Sequence, residues 1–227
     1  MPPRRGIAGS MEIPILYRDR DIILCLKPVG VSSEAGGMPA LLGGEIYCVH
    51  RLDAAVGGLM VYARTKAAAA GLSRLIAERK LQKRYLAIIQ GRPEPERGEM
   101  RDLLFHDHAK NKTYVVKRSR RGVKEAELAY RLLERAGELS LVEILLKTGR
   151  SHQIRVQFAS RGMPLAGDVK YGSRRRDCPI ALWSAALRFP HPVTGKPVCL
   201  EAMPPLVQPW TDFSDYFITK EHENEIH

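Results

Sequence analysis

The chain has 227 residues, with 36 Lys and Arg against 25 Asp and Glu, a formal net charge of +11, and 44% apolar residues. Such a chain can bury a sizeable core as one large domain or two small ones, and its charge points to a polyanionic partner, nucleic acid before an anionic membrane surface. No apolar run approaches the roughly 20 residues of a membrane helix, and Cys25, Cys48, Cys178 and Cys199 are too scattered for a zinc site or a disulfide framework.

The start, MPPRRGIAGS, has no apolar segment behind its basic residues and is not a secretory signal. A reducing, cytoplasmic setting fits these features. IPILYRD and DIILCLKP then read as two short strands, bounded by Asp19 and Arg20 and by Pro28-Val29-Gly30. Residues 32–45, rich in Gly and Pro, read as a loop. Residues 46–52 and 59–63 read as strands flanking a turn that holds Asp53. Thr65 caps a helix reaching Lys80, with Leu72, Leu75 and Ile76 on one face. Residues 85–89 form a further strand, and RPEPERGE reads as a turn region. EAELAYRLLE and ELSLVEILLK are strands, the second closed by Thr148-Gly149. Residues 151–161 have helical spacing, with Ile154 and Phe158 four apart and Ser151 as the cap. IALWSAALRF, a turn at HPVTGKP and a short VCLEA complete the strands, and KEHENEIH is a polar, fraying tail. Many strands with two evident helices give an α+β fold around a large, mostly antiparallel sheet. There is no internal repeat and no clear linker.

Cations gather in two places. Lys110, Lys112, Lys117, Arg118, Arg120, Arg121 and Lys124 surround Tyr114, and Lys170, Arg174, Arg175 and Arg176 surround Tyr171. Cations interleaved with aromatics hold phosphates while bases stack, which suits single-stranded or looped RNA; a solvated face with no partner would carry the same charges. The Gly-rich EAGGMPALLGG lacks GK[ST] and is no phosphate-cradling loop. His106-Asp107-His108 has no further ligand nearby and reads as a surface turn rather than a metal site.

Asp53 follows Arg51 in VHRLDAAVGGL, a pairing that by itself reads as a structural ion pair. Gly57 and Gly58 admit close approach of another backbone or a ligand. In KTGRSHQIR, Arg150 and Arg155 flank a helix start, with His152 and Gln153 between them. Cations there can bind a phosphate or a carboxylate, and an interior carboxylate needs such a partner.

HRLDAAVGGLMVYA, then KRYLAIIQG, then TGRSHQIRVQFASRGMPLAGDVKYG closely resemble the RluA-type pseudouridine synthases, which isomerise uridine in ribosomal or transfer RNA. LKPVGVSSE is similar to the family's first motif and LRFPHPVTGKP to its closing segment, so the resemblance spans roughly residues 13–203. It implies the pseudouridine synthase fold: a large mixed, mostly antiparallel sheet with flanking helices and a central cleft. It also implies a single catalytic domain over residues 10–210, an extension over 211–227, and no separate N-terminal RNA-binding domain. Asp53 matches the catalytic aspartate and Tyr85 the tyrosine that packs on the flipped uracil. Arg155 matches the basic residue that pairs with the aspartate, and Arg51 the arginine associated with displacing the target base from its stack. His50, Arg150, His152 and Gln153 join the substrate-binding set from the motifs, with Lys117, Arg118, Arg120, Arg121, Lys170 and Tyr171 from the basic clusters. Val56 stands where relatives often have a hydroxyl, and Trp183 where a histidine is common. No metal or organic cofactor is implied. The implied partner is RNA, ribosomal first and transfer second, with neither a membrane nor an obligatory protein partner. A non-catalytic RNA-binding or ribosome-assembly protein on the same fold is the alternative, but it would not need Asp53, Tyr85 and Arg155 together.

Overall fold

A computed structural model describes residues 12–225, with side chains as far as Thr219. The MPPRRGIAGS start, the last two residues and the side chains of the tail lie outside it. Eleven strands form one sheet. Its path runs β1 (Ile15–Arg18), β2 (Ile22–Lys27), β4 (Gly57–Ala63), β10 (Leu182–Pro190), β5 (Gln82–Gln90), β9 (Leu139–Leu146), β8 (Val123–Ala136), β6 (Arg97–Asp107) and β7 (Lys112–Val116). β3 (Tyr47–Cys48) adds to β4, and β11 (Pro197–Glu201) adds to β10. Every pairing is antiparallel except β4 with β10.

β4 shows why a continuous apolar run makes a central strand. All of its residues are buried, and alternate side chains feed opposite layers. Leu59, Val61 and Ala63 pack under α2 (Lys66–Ala77) against Leu72 and Leu75. Met60 and Tyr62 enter the other layer with Tyr85 and with Ile154 and Phe158 of α3 (Gln153–Ala159). Thr65 caps α2, its Oγ1 accepting from Ala68 N at 3.1 Å. The helix ends at Ala77, short of Lys80, because Arg79 turns into the left-handed region at φ 57°.

The strand β4 begins two residues earlier than its apolar run, at Gly57. Gly57 and Gly58 pair in parallel with Trp183 and Ser184 of β10. A Cβ on Gly57 would lie 2.6 Å from the Trp183 ring, and one on Gly58, where φ is +117°, would lie 2.4 Å from Ser184 O. The close approach that those glycines allow is to another strand.

Other expectations need correction. Of residues 46–52, Tyr47 and Cys48 alone are strand. Beyond them, Leu52 N donates to Ser33 Oγ at 3.3 Å instead of joining a ladder. The loop over 32–45 contains the short helix α1 (Met38–Leu42), which a proline starts. Ser151 does not cap α3: its N-cap is His152, in the left-handed region at φ 53°. β6 begins inside RPEPERGE and runs through His106, so the histidines belong to the β6–β7 hairpin rather than to a plain turn. Residues 220–225 of the tail belong to the helix α4 (Ser214–Glu225), and Phe213 and Phe217 are buried with Leu86 and Trp183. No helix among the described residues is long and apolar enough to cross a membrane.

Candidate active site

The loop between β3 and β4 carries Asp53 and is anchored from below. Lys27 ends the apolar strand β2 fully buried, and its Nζ donates to the carbonyls of Pro28 (2.8 Å), Val31 (2.7 Å) and Ala54 (3.2 Å). Burial pulls this ammonium down to about 8, against the opposing pull of Asp53. Ser33 Oγ donates to Leu52 O at 2.8 Å, and Val56 N donates to Asp53 O at 2.9 Å, closing the turn.

The start of α3 supplies the counter-charge. Arg155 Nη1 donates to Asp53 Oδ2 at 2.7 Å, across 102 positions of sequence. Its Nε and Nη2 donate to Asp168 Oδ2 and Oδ1 at 2.6 and 2.9 Å, and Asp168 is fully buried. Burial would lower the guanidinium's pKa, but the hydrogen bonds and charge of Asp168, then Asp53, carry it above the ordinary value. The fork to Asp168 fixes the guanidinium plane and turns Nη1 toward Asp53.

His152 stands beside this pair, its Nε2 3.7 Å from Asp53 Oδ2. Tyr171 Oη accepts from Thr113 N at 2.8 Å and shares a hydrogen bond with His152 Nδ1 at 2.9 Å. Burial first, and then the charges of Arg155 and Lys170, push His152 down to about 4 despite Asp53. The ring is neutral at pH 7. The Arg155 guanidinium lies 5.1 Å from the Tyr171 ring centroid, so Tyr171 is part of the site rather than an outlying stacking residue.

Tyr85 on β5 is buried along the cleft wall, and burial, then the Asp53 charge, raises its phenol above the ordinary value. Two residues earlier on the same face, Lys83 is pulled down to about 8 by burial. Its side chain has no hydrogen bond or ion pair among the described residues. Arg84, on the opposite face, bridges Glu143 at 3.2 Å and Glu201 at 2.6 Å. The resulting cleft, about 910 Å³, is lined by Asp53, Lys83, Tyr85, Arg150, His152 and Arg155 among others.

The remaining expected residues divide. Arg51 is an exposed rim residue whose Nη1 lies 3.3 Å from Glu34 Oε1, so it leaves Asp53 to Arg155. His50 is buried, accepts from Val61 N at 3.2 Å, and is kept neutral by burial and then by the Lys83 charge. Gln153 is spent on bracing: its Oε1 accepts from Thr148 Oγ1 (2.8 Å) and Arg150 N (3.0 Å), and its Nε2 donates to Glu127 O (3.1 Å). Arg150 is exposed at the cleft mouth, with Nε donating to Glu125 O at 2.8 Å. Lys117, Arg118, Arg120 and Arg121 occupy the exposed segment between β7 and β8, outside the cleft. Lys170 is exposed and donates to Asn111 O at 3.0 Å. Val56 is buried, and Trp183 donates Nε1 to Ala202 O at 2.9 Å while its ring covers Gly57.

Sequence reasoning missed Lys27, Lys83 and Asp168. The signals were a lysine inside an apolar strand and an aspartate closing the apolar PLAGD. The described His, Cys, Asp and Glu side chains close enough to share a metal are Asp19, Asp21 and His191. There, His191 Nδ1 accepts from Val193 and Thr194 N–H groups and Nε2 lies 3.0 Å from Asp19 Oδ2, so the histidine is committed to holding the turn.

Residues 21–160 match the family described as RNA pseudouridylate synthase. The chain is 32% identical over 203 residues to the ribosomal large subunit pseudouridine synthase C of Buchnera aphidicola subsp. Schizaphis graminum, covering 80% of this chain and 64% of that protein. It is 31% identical over 222 residues to the protein of the same description from Escherichia coli (strain K12), covering 88% and 69%. Among solved structures, human RNA pseudouridylate synthase domain containing 1 superposes with a TM-score of 0.74 at 25% identity, covering 89% of this chain and 88% of that one. The chain therefore spans roughly two-thirds of the length of these bacterial relatives.

Proposed function

Because the chain belongs to the RNA pseudouridylate synthase family, we propose that it isomerises uridine in structured RNA, ribosomal RNA first and transfer RNA next, in the cytoplasm. Residues 10–210 would form the catalytic unit, with 211–227 an extension docked on it through Phe213 and Phe217. The observation that carries the reading is the 2.7 Å contact between Asp53 and Arg155 in a cleft that also holds Tyr85.

The uridine leaves its stack, at a cost of a few kcal/mol. Arg51, on the exposed rim, fills the space it vacates, and Tyr85 packs against the uracil ring. Asp53 acts on the ribose, either as a nucleophile at C1′ or as a base at C2′, and the N1–C1′ bond breaks. The uracil turns in the cleft and C5 bonds to C1′, as the Asp53–C1′ ester bond breaks on the first route or as Asp53 returns the proton to C2′ on the second; the C5 proton is then lost and N1 takes one up. Arg155 steadies the carboxylate while its charge changes, and the neutral His152 adds no second cation to the pair. No metal or organic cofactor enters these steps.

Asp53→Asn should cut product to below about one-thousandth while RNA affinity stays within about twofold. Pseudouridine-specific carbodiimide labelling of RNA from cells carrying either form reads the product. Pseudouridine persisting at the wild-type level would refute the assignment.

A further inference from the structure

A second cavity, about 520 Å³, lies against the cleft and shares Gly149, Arg150 and Ser151 with it. Phe105, His106, His108 and Lys124 line it from the β6–β7 hairpin and the start of β8, and none of them enters the steps above. Three flat rings, those of Phe105, His106 and His108, belong to this lining, with Asp107 between the two histidines. His106 and His108 meet edge to face at 4.7 Å, and His106 meets His152 in the same way at 5.7 Å, so rings run from this cavity to the side of Asp53. The Arg120 guanidinium sits 4.9 Å from the Phe105 ring centroid. Thr113 Oγ1 donates to Ser151 O at 2.8 Å and so accepts from His106 Nδ1–H at 2.9 Å. That leaves His106 Nε2 as a hydrogen-bond acceptor. Lys124 and Arg150 bring positive charge to the same space.

Rings to stack on, cations for a phosphate and one acceptor for an N–H edge are the complement of an unstacked nucleotide. A metal fits poorly, since among the described residues no three His, Cys, Asp or Glu ligand atoms converge in this cavity. We propose that this cavity receives the base of the nucleotide adjoining the isomerised uridine, unstacked together with it. The proposal rests on the reading of the main cleft as the uridine site.

Fluorescein-labelled hexaribonucleotides with one uridine among adenosines test it by anisotropy, using the whole chain. A base is removed at the uridine, at its 5′ neighbour, at its 3′ neighbour or at the far end. Removal at one neighbour should weaken binding about tenfold, a typical loss for one stacked base, while far-end removal leaves binding unchanged. In His106→Leu, and separately in His108→Ala, which alters an exposed residue, the neighbour penalty should shrink to below about threefold. A neighbour penalty no larger than the far-end one, or one undiminished in both variants, overturns the proposal. If removal at the uridine itself costs nothing, the cleft reading falls as well, which tells the two failures apart.

Discussion

Arg155 serves two carboxylates with unequal holds on it. Asp168, fully buried, takes two of its donors, whereas Asp53, with 23% of its side chain exposed, takes one. Asp168 is thus a positioning residue. Asp168→Asn keeps the shape but removes the charge from a buried pair, which should cost about 3 kcal/mol in urea unfolding. It should also lower kcat more than it raises KM, because a loosened guanidinium costs most where charge changes. An unfolding midpoint equal to wild type would mean that Arg155 is held by other contacts. His152 makes a pH prediction. Its folded pKa of about 4 lies below the roughly 6.5 of an unfolded histidine. Between those values the unfolded chain binds the proton and the folded chain does not, so stability falls as pH drops through the window, by up to about 3 kcal/mol at its lower end. Urea midpoints measured from pH 7 to pH 4 should fall less steeply for His152→Gln than for wild type.

At the scale of elements, the parallel contact of β4 with β10 decides where the catalytic loop can sit, because Asp53 lies just ahead of it. Gly58 has φ +117° and no room beside Ser184, so Gly58→Ala combines backbone strain with overpacking. It should lose more than about 2 kcal/mol in urea unfolding, whereas Thr65→Ala, which removes only a helix cap, should lose about 1. Equal losses would mean that the β4–β10 contact can relax. β2, β4, β5 and β9 were legible because each is an apolar run that burial on both faces requires. β6 and β7 were not: β6 buries Met100 and Leu104 alone, and β7, the edge strand beside it, buries Thr113 alone, so neither shows an apolar run among its charged residues. The α3 cap was equally hidden, because the left-handed His152 is held by Tyr171 rather than by local sequence. Asp53, Tyr85 and Arg155 were legible through motif order, and their meeting in one cleft follows that order. Asp168 was not, since a polar residue in a glycine-rich turn reads as exposed until packing buries it.

For the whole molecule, the question is what an excess of 11 positive charges does. Many of the cations are spent internally: Arg155 on Asp168 and Asp53, Arg175 on Asp212, Lys147 on Glu99 and Glu127. The exposed segment between β7 and β8 is different. Arg118 and Arg121 are exposed there and have no ion pair among the described residues, and Arg120 of the same segment lies over Phe105 at the second cavity. Cations without a protein partner lose nothing internal when a phosphate arrives, and each contact releases counterions, so they should appear in the salt dependence of RNA binding. Each phosphate contact contributes roughly 0.7 to the slope of log K against log salt for single strands and roughly 0.9 for duplexes. The double variant Arg118→Gln/Arg121→Gln should therefore bind a structured RNA hairpin with a slope shallower by roughly 1.5. It should leave kcat at saturating RNA unchanged, because neither residue lines the cleft of Asp53. Filter-binding titrations between about 50 and 200 mM salt span enough of the range to resolve that difference. A slope equal to wild type would place these arginines outside the RNA interface, and a fall in kcat would place them nearer the chemistry than their position beyond the cleft allows.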